Sequence, residues 1–266
     1  MNKPEHRLLI DQLCQRRSVR SFLPDPIPDE TKNMILQAMR RAPTAGNQTL
    51  YSVIQVADQT KKQELAESCD HQPFIAEAPW VLVFLADVQR MNDFFEASGT
   101  ADLVARGIAR PASPAEGDLL LACCDALIAA QTAVIAAESL GIGTCYIGDI
   151  LENYEHVRDL LSLPRYTLPI TLITFGYPTE QQKKRPMTGR MPLDKFVFTD
   201  EYRRIDPSEL PDLYAYNEVR VQREAGNPRY LPGAENLGQH TYLRKFSSDF
   251  MREMRRSVKK MLEYWK

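Results

Sequence analysis

A chain of 266 residues is long enough to bury a core without disulfides or a structural metal, and one large domain is its default organisation. Apolar residues make up 44% and charged residues 26%, which are ordinary globular values. The net charge of -2 provides no general attraction for polyanions, so nucleic-acid binding driven by bulk charge is excluded.

The first segment, MNKPEHRLLIDQLCQRRSVR, carries charge in every turn and lacks the apolar core of a signal peptide; its residues 5–16 read as a helix. RRSVRSF then leads into LPDPIP, whose prolines forbid helix continuation. Asp29 begins a second helix with Met34, Ile35, Ala38 and Met39 at helical spacing, ending before Pro43. The polar loop TAGNQT precedes YSVIQVA, a strand by its β-branched content. KKQELAESC and QPFIAEA are short helices, and WVLVFLADV is an apolar run expected to form a strand buried on both faces. Residues 91–117 show no clear period. From Asp118 to Leu140 the pattern is helical and apolar nearly all round, which predicts a helix through the core that Gly141 ends. Gln131, Thr132, Glu138 and Ser139 interrupt the longest apolar stretch, around residues 126–142, and disqualify it as a membrane span.

TCYIGDI reads as a short strand or turn, ENYEHVRDLLSL as a helix stopped by Pro164, and LPITLITFGYP as another buried strand. Strand segments separated by helices indicate an α+β or mixed α/β layer architecture. Beyond Pro178 the chain is basic and punctuated by Pro and Gly, and 241–266 forms one amphipathic helix with Tyr242, Phe246, Phe250, Met254, Val258, Met261 and Trp265 on its apolar side. Its basic side is either a solvated face or a surface for a partner or a cofactor.

Five cysteines, Cys14, Cys69, Cys123, Cys124 and Cys145, form no CxxC pair, and their odd number suits a reducing compartment. Cys123 and Cys124 fit an apolar helix as small packing residues, and the four histidines lack ligand spacing, so no metal site is expected. A cytoplasmic protein follows.

Arg16, Arg17 and Arg20 around Ser18 concentrate fork-shaped donors suited to one phosphate or carboxylate, although a plain surface arginine cluster has the same composition. APTAGNQT (42–49) supplies small residues that let backbone approach a flat ligand, with Asn47 and Gln48 as donors and acceptors; a plain connecting loop would look similar. GIGTCYIGDI (141–150) is again Gly-rich, yet matches neither GxGxxG nor the Walker pattern. With no GxSxG elbow, no HExxH and no Cys/His nucleophile context, any enzymatic chemistry falls to a bound cofactor.

The ordered set RRSVRSF, APTAGNQT, ESLGIGTCYIGDI and a late Arg-Xaa-Pro after a strand ending in Gly-Xaa-Pro resembles the FMN-dependent nitroreductase family over residues 10–200. IAAESLG, CYIG and the long carboxyl-terminal extension are most similar to its NADPH-preferring oxygen-insensitive nitroreductases and related flavin reductases. The resemblance implies an α+β fold with a mixed sheet flanked by helices, divided into an FMN-binding core over 1–200 and an extension over 201–266 that wraps the partner of a homodimer.

It also implies that Arg16, Arg17, Ser18, Arg20 and Arg190 hold the FMN phosphate. Thr44, Ala45, Gly46, Asn47, Gln72, Gln131, Thr132, Tyr146, Ile147 and Gly148 would line the flavin at the subunit interface. The chain departs from the family pattern at Thr188, where a lysine is common, at Thr49-Leu50-Tyr51, at Thr132 and at Asp149, which replaces a frequent glycine; Lys183, Lys184 and Arg185 lie upstream of the late arginine. The implied function is two-electron, ping-pong transfer from NADPH or NADH through flavin N5 to a nitroaromatic, a quinone or a flavin, with no protein acid or base. Arg203, Arg204, Arg220, Arg223 and Arg229 are candidates for the NADPH 2′-phosphate. A flavin-binding sensor that does not turn over is the alternative.

Overall fold

WVLVFLAD is apolar at both parities, so as a strand it must be covered on both faces. The computed structural model describes the backbone of residues 4–221, 223–224 and 227–265. In chain order its first elements are α1 (Pro4–Gln15), α2 (Asp29–Met39), β1 (Tyr51–Gln55), α3 (Gln59–Ser68), α4 (Phe74–Glu77), β2 (Trp80–Asp87), α5 (Gln89–Ala97), α6 (Thr100–Ala105) and α7 (Glu116–Ser139). There follow β3 (Gly143–Ile147), α8 (Tyr154–Leu161), β4 (Thr167–Gly176) and α9 (Glu180–Lys183). The strands form one sheet in the order β1-β2-β4-β3, every ladder antiparallel. Among the described residues, parallel pairing enters only as a bridge between Ser18 and Thr144, which sets the amino-terminal basic motif beside β3.

β2 is buried along its whole length and divides its side chains between two cores. Trp80, Leu82 and Phe84 pack with Ala126, Ala129, Ala130, Ala133 and Ala137 of α7, whose small side chains let the helix lie close to the sheet. Val81, Val83 and Leu85 face Leu65, Ile75, Val157 and Leu161. Gly141, at φ +74°, ends α7 as its position predicts. The unpatterned stretch before it holds α5 and α6.

The expectation that α7 is enclosed all round meets a difference. Leu120, Leu121, Cys124, Leu127 and Ile128 are exposed along one side, with Leu120 at 68%, so a single chain covers only the other side. Cys123 and Cys124 separate accordingly, because neighbouring helical residues point about 100° apart. Cys123 is half-buried, where burial pushes its thiol up to about 11, whereas Cys124 faces outward.

The described chain divides into two compact units, Met1–Arg185 with Met254–Lys266, and Pro186–Glu253. The division between these units falls in the Pro/Gly-punctuated RPMTGRMP segment, and the chain's last residues belong to the first unit. The second unit contains α10 (Leu210–Tyr214) and α11 (Leu237–Thr241), the latter continued by a wider π turn over Tyr242–Phe246. The single helix expected over 241–266 is interrupted at Ser247-Ser248, and Ser248 Oγ accepts from the Met251 N–H to start α12 (Asp249–Trp265). Met261 and Trp265 of α12 are buried in the first unit among Leu50, Ala86, Leu119 and Tyr154. Arg256 grips Glu155 with two 2.8 Å hydrogen bonds and holds its carboxyl down to about 2.

Candidate functional site

The basic motif leaves α1 at Gln15 and runs beside β3, where the Val19 N–H donates to the Thr144 carbonyl over 2.9 Å. Gly143 permits this approach: a Cβ there would sit 2.6 Å from Val19 Cγ2. Part of the glycine richness of GIGT is therefore packing. Arg16 reaches Glu138 over 3.4 Å, and the Thr144 hydroxyl donates to the same carboxylate oxygen over 3.0 Å. Burial pushes the Glu138 carboxyl up, while Arg16 and Thr144 pull it back. Arg17 donates to the Lys183 carbonyl at 2.5 Å, and its buried Nε makes no hydrogen bond among the described residues. The Arg20 N–H donates to Gln182 Oε1 over 3.1 Å. Burial pushes the Cys145 thiol up, and nearby Arg20, Ser18 and Arg16 oppose that shift, so the motif's charge gathers around β3. A cleft of about 280 Å³ opens here between Arg16, Arg17, Glu138, Gly143, Gln182 and Lys183.

Further along β3, the Tyr146 hydroxyl donates to Gln131 Oε1 of α7 over 3.2 Å, and burial pushes the phenol up, keeping it protonated. Ile147 packs with the core on the far side of the sheet from α7, so only its backbone is available beside Tyr146. Gly148 has open space where a Cβ would stand, which leaves its backbone approachable. Gln72 donates both to Asp149 Oδ2 at 2.5 Å and to the Cys69 carbonyl at 2.8 Å. The Asp149 side chain is thus engaged by the glutamine assigned to the same site. The Thr132 hydroxyl donates back to the Ile128 carbonyl of its own helix.

The loop at 44–49 is a tight turn with positive φ at Gly46, Asn47 and Thr49. Its Ala45 N–H and the following Leu50 N–H donate to the two oxygens of Asp125, over 2.9 and 3.0 Å. Asp125 is 2% exposed within α7. From the other side, Arg90 donates to the carbonyls of Thr49 and Tyr51, over 2.6 and 3.0 Å. Burial, and then the Asp125 charge, push the Tyr51 phenol up.

Thus Arg16, Arg17, Ser18 and Arg20 share one edge with β3, Gln131 joins Tyr146, and Gln72 joins Asp149. Arg190 belongs to the second unit, where it folds onto its own loop, donating to Thr188 Oγ1 over 2.7 Å and to the Gly189 carbonyl over 3.0 Å. Thr188 thus engages that arginine. Arg203, Arg204 and Arg229 are exposed in the same unit, and the side chains of Arg220 and Arg223 lie outside the described residues. Sequence reasoning missed Asp125, Arg90 and Glu138; an acid inside the apolar run CCDALIAA was the available signal for the first. Among the described residues no group of His, Cys, Asp or Glu is arranged to hold a metal. Clustered guanidiniums at one end and approachable backbone with amide and phenol groups at the other suit a flat ligand carrying a phosphate, and so fit FMN.

Comparison with known proteins agrees. The Nitroreductase family model matches residues 13–177. The chain is 32% identical to the FMN reductase [NAD(P)H] of Bacillus subtilis, over 79% of this chain and 80% of the relative. It is also 32% identical to the oxygen-insensitive NADPH nitroreductase of Salmonella typhimurium, over 76% and 77%. The structure of NfrA1 from B. megaterium superposes with a TM-score of 0.77 at 26% identity, covering 95% of this chain and 98% of that one.

Proposed function

Since the chain belongs to the nitroreductase family, we propose that it is an FMN-dependent NAD(P)H oxidoreductase reducing nitroaromatics, quinones or flavins by a ping-pong mechanism. The relatives named FMN reductase and NADPH nitroreductase support the reaction class, the cofactor and the nicotinamide donor. The observation that carries the reading in this chain is the bridge between Ser18 and Thr144, which sets the arginine motif beside β3, the strand that leads to the open Gly148.

FMN, when bound, supplies two-electron chemistry at a single ring position. Arg16, Arg17, Ser18 and Arg20 would hold its phosphate, and Glu138 fixes Arg16 by a hydrogen-bonded ion pair. Thr44, Ala45, Gly46, Asn47, Gln131, Thr132, Tyr146, Ile147 and Gly148 would line the ring. Tyr146 keeps its proton and occupies Gln131 Oε1, which leaves the Gln131 amide N–H groups for the ligand. Gln72, with its N–H groups turned to Asp149 and Cys69, presents its carbonyl oxygen instead. No side chain of this set need transfer a proton.

The exposed apolar side of α7 supports a homodimer with the cofactor at the subunit interface, because Leu120, Leu121, Leu127 and Ile128 flank Gln131 along one helix. Residues 201–266 would wrap the partner through the parts that their own chain leaves exposed, such as Tyr242 and Phe246. A cytoplasmic location is in keeping with five free thiols. Flavin released from the purified protein should comigrate with FMN, and light scattering should give twice the 30.4 kDa chain mass. Recovery of FAD would overturn the cofactor assignment, and a monomer with full FMN occupancy would overturn the interface site.

A further inference from the structure

Residues 44–51 are gripped from two sides by opposite charges. The peptide N–H groups of Ala45 and Leu50 point at one buried carboxylate, Asp125, each taking a separate oxygen. The carbonyls of Thr49 and Tyr51 point at one guanidinium, Arg90, which also donates to the Ser52 hydroxyl over 3.1 Å. Arg90 is itself placed by Asp87, which accepts from the Arg90 N–H over 3.2 Å and from the Ser52 hydroxyl at 2.5 Å. Neither acid nor base belongs to the loop: Asp125 sits on α7 and Arg90 on α5.

The segment between these anchors has reason to need them. It places Asn47 and Thr49 in the left-handed region, which L side chains avoid, and it links a helix to a strand without a ladder of its own. Peptide groups turned inward without partners would be unsatisfied, so the same two charges that fix the shape also remove that penalty. An acid buried at 2% exposure, with both oxygens used on backbone N–H groups, is preorganised to accept and has little freedom to do anything else.

We propose that Asp125 and Arg90 are positioning residues: together they preform the 44–49 loop, so the surface it offers the cofactor exists before the cofactor arrives. The inference rests on the reading of Thr44, Ala45, Gly46 and Asn47 as cofactor-lining. Both residues act through the loop backbone that they bond. Their effect is to lower the conformational cost of binding, since a loop sampling other shapes binds only in the fraction of time it is correctly folded.

The test uses full-length apoprotein, wild type, Asp125→Asn and Arg90→Gln. Asparagine keeps the volume of Asp125 but turns an NH2 toward one of the two backbone N–H groups. Hydrogen–deuterium exchange over 44–51 should accelerate in both variants while exchange in the strands stays at the wild-type rate, and the FMN dissociation constant should rise about tenfold in Asp125→Asn and by less in Arg90→Gln. At saturating FMN the visible absorption band should return to the wild-type shape, because the ligand restores the loop. If Asp125→Asn does not fold, Arg90→Gln carries the test from the surface. Wild type that binds FMN, together with variants unchanged in both loop exchange and affinity, overturns the proposal. Faster loop exchange in the variants of a wild type that binds no FMN supports the brace and removes the cofactor reading alone.

Discussion

The two segments that frame the site, 143–148 and 44–49, obtain their backbone hydrogen bonds in different ways. The first is a strand: β3 pairs with β4 along its length and with the Ser18–Val19 segment through Thr144. The second is a tight turn in which the Asn47 N–H donates to the Thr44 carbonyl and the Thr49 N–H to Thr44 Oγ1, tied further by charged side chains from helices 75 or 80 positions away in Asp125, and 39 or 41 in Arg90. The strand is thus shaped by repeated backbone pairing, whereas the loop adds two charged side chains to the hydrogen bonds of its own turn. The consequence is a difference in fragility: packing changes should damage the strand side, and loss of one charge should loosen the loop side.

Substitutions can sharpen that contrast. The largest effect is expected from Gly143→Val, which forces side-chain atoms into Val19, already 2.6 Å from a hypothetical Cβ. It should cost about 3 kcal/mol of stability, read as a lower denaturant midpoint, and an unchanged midpoint would show the amino-terminal motif to be loosely attached. Arg20→Ala should weaken FMN binding roughly tenfold to hundredfold, equivalent to about 1.5–3 kcal/mol, with the apoprotein melting temperature essentially unchanged, because the motif's cations repel one another. Normal affinity with lost apo stability would instead make Arg20 a structural ion-pair partner.

Glu138→Gln probes the same edge through pH. The folded protein holds the Glu138 carboxyl above its ordinary value of 4.5, chiefly by burial. Its protonation therefore favours the fold, so that contribution is complete below 4.5 and is lost as pH rises through the raised value. The melting temperature of Glu138→Gln relative to wild type should climb across that interval, and a flat difference would contradict the burial account. The smallest effect is expected on the loop side. Thr49→Gly relieves a positive φ of 57°, and with the anchors intact it should change stability by no more than about 1 kcal/mol, in the stabilising direction. A clear destabilisation would mean that the Thr49 side chain shapes the loop.

Legibility in the sequence follows the same division. β2 and β4 were readable because an apolar run with β-branched residues has few other uses, and the end of α7 because glycine alone is comfortable at φ +74°. The Ser18–Thr144 pairing joins residues far apart in the chain, and no local pattern encodes it. Asp125 was visible as an acid in an apolar helix, but its partners are backbone N–H groups, which have no sequence signature. The exposure of Leu120 and Leu127 was hidden because helical periodicity cannot separate an apolar side facing its own sheet from one facing another surface. The break at Ser247-Ser248 was masked by an unbroken apolar stripe on either side, which the π turn over Tyr242–Phe246 carries forward out of register.

Anaerobic rapid-mixing reduction tests the central claim most directly. Purified protein carrying FMN, mixed with NADPH or NADH without oxygen, should lose its visible flavin absorption within a turnover and regain it when a nitroarene, a quinone or free FMN is added in a second mix. Flavin that stays oxidised in excess of both nicotinamides would contradict an oxidoreductase and leave a flavin-binding protein that does not turn over.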